Sequence, residues 1–248
     1  MHLTTLQWSL GALAALLAGF SKTGVTGLGV LIVPLMASLF EAKASTGAVL
    51  PMLVFADIFA VAVYRRHAQW PVILRLLPWI LPGIIAGSVT LKEIDSESLS
   101  PVLGGLVLSM VALQVVRQRA GGWLETHLPH QWWFSAAVGF LAGFATMVGN
   151  IAGPIMGIYL ISMGLEKRQF MGTGAWYYLI VNLVKVPFGV WHAQVITAES
   201  LKFNLAMAPI IAVGALLGIV AFPRIPQVWF NRAVLLLAVL GGVRLLFR

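Results

Sequence analysis

Lys22, Asp57 and Lys185 are ionisable side chains set inside long apolar runs. At membrane depth each costs at least about 2.5–3.5 kcal/mol, so each calls for a partner or a task. Lys22, with Ser21, Thr23 and Thr26, puts a cation and hydroxyl donors beside Gly24 and Gly27, where a second helical piece is expected to begin. A helix start exposes unpaired N–H groups and a partial positive charge, so this combination suits an oxyanion. Further along, Thr146, Gly149, Asn150 and Gly153 offer donors and close backbone approach without a charge. The plainer alternative is that these glycines only allow tight helix packing, as Gly83/Gly87 and Gly214/Gly218 would elsewhere. Asn182 stands one helical turn before Lys185. Asp57 and Lys185 either neutralise each other as a structural pair, or Lys185 meets an anion while Asp57 gains and loses a proton.

Other chemistries have little to stand on. The chain has no cysteine, which removes thiol catalysis, disulfides and thiolate metal sites. HExxH, GxSxG and Walker A patterns are all missing, and Lys22-Thr23-Gly24 lacks the SxxK that would make it a transpeptidase signature. His-Ala-Gln occurs at His67–Gln69 and His192–Gln194, and one histidine per site makes a membrane-end cap rather than a metal centre. No catalytic residue, cofactor or metal is therefore expected. Trp70, Trp132, Trp133, Trp191 and Trp229 fit interfacial belts. Trp176, Tyr177 and Tyr178 read as buried packing, with a cavity lining as the alternative.

The positioning elements follow from composition. Of 248 residues, 60% are apolar and 10% charged, with a mean hydropathy of +0.94. Soluble domains are about 45–50% apolar and 25% charged, so the solvent implied is a bilayer. The net charge of +8 comes from basic residues scattered at the ends of apolar runs. That is a topology signal and not a phosphate-binding stripe, which excludes nucleic acid as a partner. The opening residues lack a basic leader and read as structure rather than a cleaved signal.

A spanning helix needs about 20 apolar residues. Stretches 44–64, 71–91, 100–116, 170–190, 201–222 and 228–247 qualify. Stretches 8–39 and 132–164 are too long for one span, and glycine with small polar residues interrupts them at Ser21–Gly29 and Thr146–Gly153. Such clusters mark discontinuous helices, whose pieces of about 13 residues at about 1.5 Å each would enter and turn back.

The breaks belong to an internal repeat. Leu-Ala-Gly-Phe occurs at Leu17–Phe20 and Leu141–Phe144, and at a spacing of 125 Asp57 falls on Asn182 and Gly47 on Gly172. The expected fold is an all-α polytopic membrane protein of two homologous halves, each with a broken or re-entrant first helix plus three spanning helices. Residues 1–120 form the first half, 121–131 a connecting loop and 132–248 the second half of one integral-membrane domain. Three crossings per half put Arg65, Arg66, Arg75, Arg117, Arg119, Lys167, Arg168, Arg224 and Arg232 opposite Lys43, Lys92, Lys202, Arg244 and Arg248, nine against five. Four crossings per half divide the same residues eight to six, so the positive-inside rule favours an inverted repeat. In inverted repeats the substrate sits near the midplane where the halves meet, which is where Asp57, Asn182 and Lys185 would converge.

The segments AGFSKTGVTGLGVLIVPLMA (18–37) and GPIMGIYLISMGLEKRQFMGTGAWYYLIVNLVKVPFG (153–189) resemble the TauE/SafE family of sulfite and organosulfonate exporters. The resemblance covers nearly the whole chain. It implies export of small sulfur-containing oxyanions from the bacterial cytoplasm across the inner membrane. It maps the family's glycine-rich segments to Gly24, Gly27 and Gly29 and to Gly149 and Gly153, flanked by Pro34 and Pro154, and its second-half NxxK to Asn182 and Lys185. The chain departs from the family pattern in having fewer consecutive glycines at the first break and Lys22 beside it. The expected partners are a small anionic substrate and the lipid bilayer, with a monomer and a homodimer both open. A passive anion channel, an anion importer and a membrane enzyme acting on lipid head groups are the alternatives to an ion-coupled exporter.

Overall fold

The computed structural model describes residues 4–24, 29–127, 131–221 and 227–247. The described residues fold into helices without strands: α1 (Thr5–Thr23), α2 (Gly29–Leu39), α3 (Ala42–Tyr64), α4 (Trp70–Glu93), α5 (Ser96–His127), α6 (Trp132–Gly149), α7 (Gly153–Ser162), α8 (Lys167–Pro187), α9 (Ala198–Ala221) and α10 (Gln227–Leu246). Local chemistry sets several ends. Thr4 and Gln7 form a reciprocal cap on α1, and Glu166 and Gln169 do the same on α8. At α5 the Ser98 N–H donates to Asp95 Oδ1 at 2.7 Å, and this bond holds the Asp95 carboxyl below its ordinary range.

Both expected breaks are present. α1 stops at Thr23, where Gly24 leaves helical geometry, and α6 stops at Gly149, where Asn150 takes a left-handed φ of 58°. The pieces are unequal, however. α1 and α6 have 19 and 18 residues, close to the length of a full span, whereas α2 and α7, with 11 and 10, reach only about half of it. Equal pieces of about 13 residues overlooked that helix continues from the Thr4 cap up to the polar cluster, so each break falls late in its run. α5 also continues through His127, making most of the expected 121–131 loop helical. Among the described residues five helices are long and apolar enough to cross a membrane: α3 with the turn after it, α4, α5, α6 and α9. The 170–190 and 228–247 stretches are helical as α8 and α10 but fall outside that set, α8 carrying Asn182 and Lys185 in its interior.

Glycine contacts fix how the helices pair. α1 lies along α9, with Gly19 against Ile211 and Ala215, and Gly214 against Leu16. α6 lies along α4 in the same manner, with Gly143 against Ile80 and Ile84, and Gly83 against Phe140. Adding 124 to the α1 numbers and subtracting 131 from the α9 numbers turns the first contact set into the second, so the two helix pairs match contact for contact. α2 packs on α10 as α7 packs on α5. α3 and α8 cross each other directly: Gly172 near the start of α8 meets Tyr64 at the end of α3 and His67 just after it, while Gly47 near the start of α3 meets Val195 beyond α8. The two helices are therefore antiparallel.

Charged residues segregate with the helix ends. At one end Lys43 Nζ donates to the Lys92 carbonyl at 3.2 Å, and Ser100 at the start of α5 reaches the Leu245 carbonyl at 3.2 Å. At the other end Trp176 Nε1 donates to the Arg65 carbonyl at 3.4 Å. His67 and His192 close turns at opposite ends, and His192 Nδ1 lies 2.5 Å from Ser88 Oγ.

Candidate functional site

The crossing of α3 and α8 brings the buried ionisable groups together. Asp57 stands in the C-terminal third of α3, and Asn182, 125 residues later, in the C-terminal third of α8. Asn182 Nδ2 donates to Asp57 Oδ2 at 2.6 Å. Asp57 Oδ1 is 2.8 Å from Lys22 Nζ, carried to it by the last turn of α1. The Lys22 ammonium also sits over the Tyr178 ring, 4.0 Å from its centroid, a cation–π contact that offsets part of the cost of leaving water.

Lys185, one turn beyond Asn182, is 0% exposed. Its Nζ donates to Asn150 Oδ1 at 2.7 Å, Thr146 Oγ1 at 3.0 Å and Asn182 Oδ1 at 3.1 Å. Asn150 in turn donates Nδ2 to the Thr46 carbonyl at 3.1 Å. One continuous chain of polar contacts thus runs from Lys22 through Asp57, Asn182 and Lys185 to Asn150 and α3. All three ammonium hydrogens of Lys185 have neutral oxygen partners, the condition under which a buried polar network rigidifies its surroundings.

A cavity of about 70 Å³ opens beside this chain, large enough for a few waters or a small anion. Ser21, Lys22, Asp57, Thr146, Asn150 and Asn182 give it a polar side. Leu53, Ala60, Leu160 and Phe170 give it an apolar one. Gly29 and Gly153, the first residues of the two half-length helices, both line it, so two helix N-termini converge on the same space.

The expected site residues divide accordingly. Ser21, Lys22, Asp57, Asn150, Gly153 and Asn182 border the cavity. Thr23 does not: its hydroxyl donates to the Ala215 carbonyl at 2.7 Å and ties α1 to α9. Gly24 packs against Gly218, and Gly149 against Leu103 and Ile151. Thr26 and Gly27 lie outside the described residues. Lys185 stands behind the cavity wall rather than in it, and Thr146 and Asn150 spend their oxygens on Lys185. Tyr178, read from sequence as packing, borders the cavity, whereas Tyr177 is buried in the core. The signal for Tyr178 was available, because positions 178, 182 and 185 fall on one face of a helix. Among the described residues no group of three or more metal-ligating side chains occurs.

A family model of the sulfite exporter TauE/SafE matches residues 11–245. The chain belongs to the TauE/SafE family. That match spans both halves and every residue of the polar chain just described. Together with the five long apolar helices it makes this TauE/SafE protein a multi-pass membrane protein of a transporter family. No curated protein and no solved structure matches it.

Proposed function

We propose that this chain is a secondary transporter that exports a small sulfur-containing oxyanion, sulfite or an organosulfonate, across the bacterial inner membrane by alternating access. The observation that carries the reading is the cavity itself. One partly accessible cation, Lys22, and two helix N-termini face a space of anion size, which lies beside the bond joining repeat-equivalent residues on crossing helices. Donors and positive helix ends fixed around a midplane cavity are how membrane carriers hold anions without a full hydration shell. Asp57, the buried carboxylate of the site, serves as the coupling group.

The halves form an inverted repeat in this reading. Support comes from the antiparallel crossing of α3 and α8 and from the matched contacts of α1 with α9 and α6 with α4. Rocking one half against the other about the Asp57–Asn182 contact would expose the cavity to each side in turn. With no native cysteine in the chain, single cysteines replacing Arg66 and Gln194 report sidedness directly. They are expected to react with an impermeant maleimide from opposite faces of the membrane, and labelling of both from one face would refute the inversion.

The substrate is tested by thermal stabilisation of purified protein with sulfite, sulfoacetate, methanesulfonate, thiosulfate, sulfate and small carboxylates, repeated on Lys22→Ala. Saturation at 100 times Kd adds about 2.7 kcal/mol of stability. Sulfite or a sulfonate is expected to raise the melting temperature of the wild type only. An equal rise in both proteins would remove Lys22 from the site.

A further inference from the structure

Two cations and one carboxylate make up the buried trio of Lys22, Lys185 and Asp57, so in fully ionised form it carries a single net positive charge. The two cations are not equivalent. Lys185 is enclosed, with its three donors committed to Asn150, Thr146 and Asn182. Lys22 borders the cavity, the only lysine or arginine to do so among the described residues, and its side chain keeps 12% exposure. The partner on Lys22 is the Asp57 carboxylate at 2.8 Å. Asp57 therefore occupies the very position at Lys22 that an incoming oxyanion needs.

Resting on the transporter reading above, we infer that Lys22 exchanges partners: a bound monoanion displaces Asp57 from Lys22, and the released carboxylate takes up one proton from cavity water. The balance is simple. The Lys22 ammonium passes from carboxylate to anion with its own protons retained, and the O–H bond formed on Asp57 uses one proton drawn from bulk solvent through that water. Ionised Asp57 beside the anion would set two negative charges in a small space with Leu53, Ala60, Leu160 and Phe170 in its walls, where little solvent screens their repulsion. Protonated Asp57 still accepts from Asn182 Nδ2 through its remaining oxygen, so the contact between α3 and α8 survives the exchange. The groups that face Asp57 are Lys22 from α1 and Asn182 and Lys185 from α8. Among the described residues no second carboxylate faces this site to take the proton instead. Anion and proton then leave the site together, one of each per cycle.

Isothermal titration calorimetry with methanesulfonate, which stays a monoanion throughout the accessible pH range, reads the exchange directly. Binding to purified wild-type protein, measured in two buffers of different ionisation enthalpy, is expected to take up close to one proton per anion. Affinity is expected to fall about tenfold per pH unit where free Asp57 is ionised. Asp57→Asn, which leaves no carboxylate to compete or titrate, is expected to bind more tightly at neutral pH, with no proton uptake and no pH dependence. Wild-type binding without proton uptake, or uptake that persists in Asp57→Asn, overturns the exchange while leaving the transporter reading intact. Failure of methanesulfonate to bind wild type contradicts the organosulfonate reading beneath it and removes the exchange as well. The wild-type titration decides alone should Asp57→Asn fail to fold.

Discussion

Lys22 and Lys185 have the same side chain and lie close to the same carboxylate, and exposure separates them. Lys185 donates to three oxygens, from α6, the α6–α7 break and α8. Its replacement by methionine would leave Asn150 Oδ1, Thr146 Oγ1 and Asn182 Oδ1 without their donor. A buried acceptor left unsatisfied costs about 1–3 kcal/mol, so Lys185→Met is expected to lower stability by at least that much in a denaturant titration. Unchanged stability would show that the network is not structural. The identity of the polar chain was legible from sequence, since ionisable groups in apolar runs are rare and the 125-residue spacing tied Asp57 to Asn182. The direction in which each side chain points was not legible. Whether Lys185 faces a cavity or a neighbouring helix depends on rotamer and packing, and Asn150 could be placed as an acceptor for Lys185 only once its left-handed backbone was seen.

At the scale of elements, the glycines do two different things. Gly83 and Gly214 sit where a Cβ would run into the Phe140 and Leu16 carbonyls, so they set the approach of α4 to α6 and of α9 to α1. Gly105 of α5 has nothing within 4 Å. Gly83→Ala and Gly214→Ala are expected to cost about 1–3 kcal/mol by overpacking. Gly105→Ala is expected to gain up to about 1 kcal/mol from helix propensity. Thermal melts of the three variants check this, and wild-type melting of Gly83→Ala would contradict the packing assigned to it. The packing role of both Gly-xxx-Gly pairs could be read from the sequence, as could the position of both breaks. The unequal lengths of the broken pieces could not, since an apolar run shows where a helix is allowed and only its caps and polar interruptions show where it stops.

Taken as a whole molecule, the fold is a set of reciprocal pairs: α1 on α9 as α6 on α4, α2 on α10 as α7 on α5, with α3 and α8 crossing at the centre. Asp57 and Asn182 meet at that crossing, an acid and an amide 125 residues apart, which sets one titratable group beside one cavity-lining lysine. The most direct measurement is sulfite and methanesulfonate flux in proteoliposomes under an imposed proton gradient, for wild type and Lys22→Ala. Wild type is expected to accumulate anion against its concentration gradient, with Lys22→Ala reduced to the leak of empty vesicles. Flux that only dissipates the anion gradient, or that is as fast without Lys22, would contradict the account.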